Sequence, residues 1–164
     1  MKIFEKIPLF PFLFALYPVV YLLAENVGEV KIIAGVRTAL LFLLLAALAY
    51  GFAYLLLRDA KKSALAAWVM LLCFFVIFFF LYAPLYRVLR ETVINGRIIG
   101  RHRYLVPGNA ILVLASGFIS TLVLRRIKPK SLRNLTFGLN AVSAVLLLMP
   151  LVTLISFAIR EKLA

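Results

Sequence analysis

One histidine, one cysteine, one tryptophan and six acidic residues are all that 164 positions contain of those types, and only one of the acids, Asp59, is an aspartate. These scarcities exclude most catalytic arrangements. Asp59 and His102 fall in loops expected on opposite sides of a membrane, so no conventional triad can be built from them. The motifs HExxH, GxxxxGK and GxSxG do not occur. The acids are too few for a multi-carboxylate metal site, and no cofactor is expected. Cys73 lies inside an apolar run, which leaves no disulfide framework or thiolate metal site and makes it a small core hydrophobe. The long apolar runs also lack a deep ionisable residue, the usual mark of a proton-coupled carrier.

What the chain has in excess is hydrocarbon. It is 65% hydrophobic, with a mean hydropathy of +1.08, whereas soluble domains are closer to half apolar. Too little polar surface remains to coat a globule, so the bilayer is the expected solvent. Lys and Arg number 19 and give a net charge of +13. They cluster at the ends of apolar runs, where they meet lipid phosphates. Membrane lipids, especially anionic headgroups, are therefore the expected partners, and nucleic acid is not. Lys2, Lys6 and the run from Leu9 resemble a signal peptide. However, Pro8, Pro11 and Pro18 punctuate that run, and Glu25 and Asn26 stand where small cleavage-site residues belong, so it reads as a retained first span.

Five windows approach the roughly 20 apolar residues that a spanning helix needs. They cover 8–24, 38–57, 64–86, 104–124 and 135–159. The expectation is an all-α integral membrane protein, a bundle of five transmembrane helices with short loops, in one domain over 1–164. Basic residues divide ten to nine between the two sides. The tight, dense turns RDAKKS and RRIKPKSLRN favour a cytoplasmic N-terminus and an outside C-terminus in the cytoplasmic membrane. Trp68, Tyr82, Tyr86 and Tyr104 near span ends fit the headgroup zone.

Polar residues inside the spans fall on single faces. Thr136, Asn140 and Ser143 share one side of the fifth window, and Asn109, Ser116 and Ser120 share one side of the fourth. Packing between helices is the expected role, because an amide facing lipid is costly. Ser116 with Ser120, and Ala47 with Gly51, are small-xxx-small pairs suited to close helix approach. Pro150 is expected to kink the last span.

The longest polar interruption is INGRIIGRHRYLVP, residues 94–107, with Arg97, Arg101, His102 and Arg103. The arginine fork matches phosphate oxygens, and His102 adds a hydrogen bond or a pH-dependent charge. Glu25 and Asn26, at the end of the first span, lie on the same side. They are expected either to pair with the arginines and hold the loop or to frame an anionic headgroup site with them.

The stretches LFPFLFALYPVVYLLAENVGEV, IGRHRYLVP and LTFGLNAVSAVLLLMPLV, in that order, resemble the N-terminal membrane region of bacterial sulfatase-like proteins. These belong to the alkaline-phosphatase superfamily, with lipid A phosphoethanolamine transferases and lipoteichoic acid synthases. The resemblance implies five helices followed by an extracytoplasmic hydrolase or transferase domain with a Thr or Ser nucleophile and divalent metal. No such segment stands after Ile159, so no nucleophile or metal ligand is assigned to any residue here. The expectation is a non-catalytic anchor and lipid-presenting module of, or partner to, a sulfatase-like enzyme. A small membrane scaffold or assembly subunit is the alternative, and a carrier or channel a third.

Overall fold

In the structure, a computed structural model that describes residues 7–30, 32–94, 97–98, 102–127 and 132–163, the apolar runs are helical. α1 covers Phe10–Glu25, α2 Ile32–Leu57 and α3 Ala60–Phe75. α3 runs on through a π-helical segment, Val76–Leu81, into α4, Tyr82–Leu89. A small antiparallel hairpin follows, with β1 Val93–Ile94 paired to β2 Arg97–Ile98, Val93 opposite Ile98. α5 covers His102–Arg125 and α6 Leu132–Leu163.

Among the described residues, four stretches are long and apolar enough to cross a membrane: Ile33–Leu57, Ala60–Leu81, His102–Arg125 and Leu132–Arg160. α1 is shorter, at 16 residues, or about 24 Å at ~1.5 Å per residue. The protein is therefore a helical membrane bundle of four long apolar helices and one shorter one. Most helices overrun their hydropathy windows because charge ends a window without ending a helix. α2 begins at Ile32 rather than Thr38, since exposed Arg37 can extend its head toward water. α3 begins at Ala60 because the Asp59 carboxylate accepts the backbone N–H of Lys61 at 3.1 Å and of Lys62 at 2.9 Å, an N-cap.

α1, α2 and α3 pack on one another; α5 docks on α3 and α2, and α6 lies along α1. Alanine makes this closeness possible. Ala15 and Ala46 meet Leu71, Ala49 and Ala67 meet Met70, and Ala53 and Ala66 meet Leu124. Between membrane helices, small residues bring backbones into contact where hydrophobic burial gives little drive. The expected pair on α2 is displaced by one position: Ala46, Ala49 and Ala53 are buried, whereas Ala47 is exposed and the space beside Gly51 is open. α5 lies close against α3 at Gly117, where an added Cβ would lie 2.4 Å from Met70 Sδ. Ser116 and Ser120 donate within their own helix, to the carbonyls of Val113 and Ser116.

Burial is inverted relative to a soluble protein. Leu55 is 77% exposed and Phe80 73%, while Asn109, Thr136, Asn140 and Ser143 are buried. Hydrocarbon as solvent demands that arrangement.

One end of the bundle is closed by cations on helix C-termini. Lys62 Nζ donates to the Arg125 carbonyl at 3.4 Å, and Arg125 Nη2 donates to the Leu56 carbonyl at 3.2 Å. Between α2 and α3 the chain turns through Arg58, whose φ is +49°. α1 starts inside the bundle, so its first N–H groups cannot reach water. Pro8 and Pro11 carry no N–H, and Asn140 Oδ1 accepts the N–H of Leu9 at 2.9 Å and of Phe10 at 2.8 Å. The Asn140 amide also donates to the Ile7 carbonyl at 2.8 Å.

Candidate functional site

The opposite end of the bundle, which carries the hairpin and the α1–α2 turn, holds most of the sequence-predicted site residues. Phe74, Phe78, Tyr82 and Tyr86 recur every four residues through α3, the π segment and α4, and form a ladder of rings. The centroids of Phe74 and Phe78 lie 4.8 Å apart, and those of Phe78 and Tyr82 5.9 Å apart. His102 completes the ladder from α5. Its ring lies 5.9 Å from that of Tyr82 and 4.9 Å from that of Tyr86, tilted only 4° against the latter. The Tyr82 hydroxyl and His102 Nδ1 share a hydrogen bond. Two tyrosines thus fix the plane of the imidazole and occupy one of its nitrogens, leaving Nε2 with no hydrogen-bond partner among the described residues.

Arg103 follows on the first turn of α5, its guanidinium carbon 4.8 Å from the centroid of the Tyr104 ring. An aromatic face attracts a cation and restricts its swing. His102 and Arg103 are both exposed, and no acidic residue stands in that first turn. A helix N-terminus already carries a partial positive charge, so the Arg103 cation stands where the backbone repels it. An anion seated there would relieve both.

The remaining predicted residues are placed as follows. Arg97 lies in β2 opposite Ile94, its side chain outside the described residues, as is all of Arg101. Asn26 ends α1, its amide donating to the Leu22 carbonyl at 2.7 Å, and it lines a groove between α1 and α2. Glu25 lines a different groove, between α1 and α6, with Tyr17, Tyr21, Met149 and Pro150. The structure thus joins His102 to Tyr82 and Tyr86, and Arg103 to Tyr104. Among the described contacts it brings neither Glu25 nor Asn26 to the cations.

Asn109 is 3% exposed, and its Nδ2 has no partner among the described residues. The contacts of Gly117 with Met70 and of His102 with Tyr86 set the antiparallel register of α5 on α3 and α4, which puts Asn109 level with the π segment. Trp68, expected at the headgroup zone, packs edge-on against Phe10 and Phe14, with its indole N–H buried and unmatched among the described residues. Bulky neighbours on α1 hold it inside.

The stacked tyrosines are functional candidates that sequence reading placed only in the headgroup zone. The available signal was the four-residue spacing of Phe74, Phe78, Tyr82 and Tyr86 just ahead of the single histidine. Among the described residues, no three of His, Cys, Asp and Glu come together as a metal-ligand set. No protein-family model, curated protein or solved structure matches the chain.

Proposed function

We propose that this chain is a membrane anchor and lipid-presenting module that receives an anionic headgroup at the start of α5. In this reading α1 crosses as a fifth span, the chain sits in the cytoplasmic membrane, and the hairpin end faces outward. The observation that carries it is the placement of His102 and Arg103 on the positive pole of a 24-residue helix, braced by aromatic rings and with no acid in that turn. Arg97 and Arg101 add charge to the same loop. The module is non-catalytic by itself and serves a sulfatase-like headgroup or envelope-polymer hydrolase or transferase, the role that the resemblance of its sequence implies. The open stripe at Ala47 and Gly51 favours a second reading, an assembly subunit that meets another membrane helix there.

Native mass spectrometry of the protein extracted from its own membrane separates the two. A co-purifying phosphatase- or sulfatase-like polypeptide, or an anionic lipid lost on Arg103→Ala, supports the first. An unrelated membrane protein bound without lipid sinks it in favour of the second.

A further inference from the structure

Two apolar grooves lie side by side on the hairpin half of the bundle. One, of ≈ 360 Å³, runs between α1 and α2, with Asn26, Val30, Ala34, Thr38 and Phe42 along its length. The other, of ≈ 370 Å³, runs between α1 and the π segment, with Phe14, Tyr17, Tyr21, Phe75 and Phe80. Pro18, Leu22 and Phe79 line both and form the ridge between them. The second groove exists because the chain beyond Phe75 departs from α1: the tight packing of α3 on α1 is not continued by the π segment or α4.

We infer that the pair of grooves holds one two-chain phospholipid, an acyl chain in each, with its phosphodiester at the α1–α2 turn. Near-equal volumes, a shared ridge and almost wholly apolar walls match two tails of one molecule better than a single rigid ligand. Pockets of this size ordinarily suit small-molecule ligands with a few polar groups at one end. Here the polar end is Asn26. Arg37, exposed and next to the lining residue Thr38, has no ion-pair partner among the described residues. Arg37 lies deeper than Asn26, since Gly35 faces Leu23, but its long side chain can extend to a phosphodiester at the turn. Glu25 and Glu29 are also exposed there. This site is separate from the start of α5, and the inference rests on the lipid-presenting reading only for the lipid's role.

The test uses the full chain in nanodiscs of phosphatidylglycerol and phosphatidylcholine, doped with phosphatidylglycerol bearing a diazirine on either the first or the second acyl chain. After photolysis, peptide mapping is expected to show label concentrated at 18–23, 34–42 and 75–80. Labelling there should be about tenfold above that at lipid-facing Leu44 and Leu148, as a site preferred over bulk bilayer requires. Ala34→Trp fills only the first groove, at an exposed position that tolerates bulk, and should abolish label on α2 while label on the π segment remains. Even labelling of all lipid-facing positions, or an Ala34→Trp pattern identical to wild type, overturns the proposal. Groove labelling that survives Arg103→Ala supports it whatever becomes of the headgroup site. Anion selectivity at Arg103 without groove labelling overturns this inference alone.

Discussion

His102 stacks on Tyr86 with ring planes within 4° and centroids 4.9 Å apart, so the only histidine is held by two aromatic side chains from another helix. Such a pair contributes about 0.5–1.5 kcal/mol beyond simple burial. Tyr86→Ala is expected to lower thermal stability in detergent by that amount and to weaken anionic-lipid binding. Tyr82→Phe keeps the stack and loses only the hydrogen bond to Nδ1, so it should change the lipid preference less. Equal effects of both substitutions in a vesicle-flotation assay would contradict this division of roles.

Arg103 belongs to the same cluster but acts through charge. One basic residue near an anionic surface adds ~1 kcal/mol, so Arg103→Ala should reduce affinity for phosphatidylglycerol about fivefold. Arg103→Lys should retain most of that affinity at low salt. Titration by native mass spectrometry reads both, with phosphatidylcholine binding as the unchanged control.

Asn140→Ala leaves the N–H groups of Leu9 and Phe10 buried without an acceptor. A side-chain bond between membrane helices averages roughly 0.6 kcal/mol, but two buried backbone donors left unsatisfied together cost about 2–4 kcal/mol. Asn140→Asp keeps the acceptor and loses the bond to Ile7, and should destabilise less. Unfolding in mixed micelles, followed by far-UV circular dichroism, gives the ranking.

How far these features could be read from sequence follows from what hydropathy senses. The apolar windows located every long helix, because a run of Leu, Phe and Ala placed in lipid finds no water and satisfies its backbone within the segment by becoming a helix. The single-face arrangement of Thr136, Asn140 and Ser143 likewise indicated burial, and all three side chains are buried. What Asn140 bonds to was not legible. Its partners are backbone groups some 130 residues away, and backbone donors leave no trace in residue type. The π segment was hidden for a related reason, since VIFFFL reads as α-helix by composition and differs only in its hydrogen-bond register. That no described contact joins Glu25 to His102 or Arg103 was hidden as well. Sequence assigns a residue to a side of the membrane but not to a neighbour on that side.

Gly117 packs directly against Met70. Gly117→Ala should cost about 1–3 kcal/mol, the usual penalty for overpacking. Met70→Ala removes the Sδ, Cγ and Cε atoms that the added Cβ would meet, so the cost of Gly117→Ala should be much smaller in that background, whatever Met70→Ala costs alone. A double-mutant cycle on thermal stability measures the coupling directly.

Arg58 offers the opposite test. Its φ of +49° lies where a Cβ is strained and glycine is not. Arg58→Gly is therefore expected to stabilise the bundle by about 0.5–1 kcal/mol, despite removing a charge from a basic turn. A lowered melting temperature would show that the arginine side chain matters more than its backbone.

The bond from Asn140 to the start of α1 also orders events during synthesis. α1 leaves the ribosome long before its acceptor exists, and no residue of its own first turn supplies one. Until α6 has been inserted, the N–H groups of Leu9 and Phe10 lack the acceptor that they have in the finished bundle. Of these two helices, the one translated earlier is thus completed only by the later one.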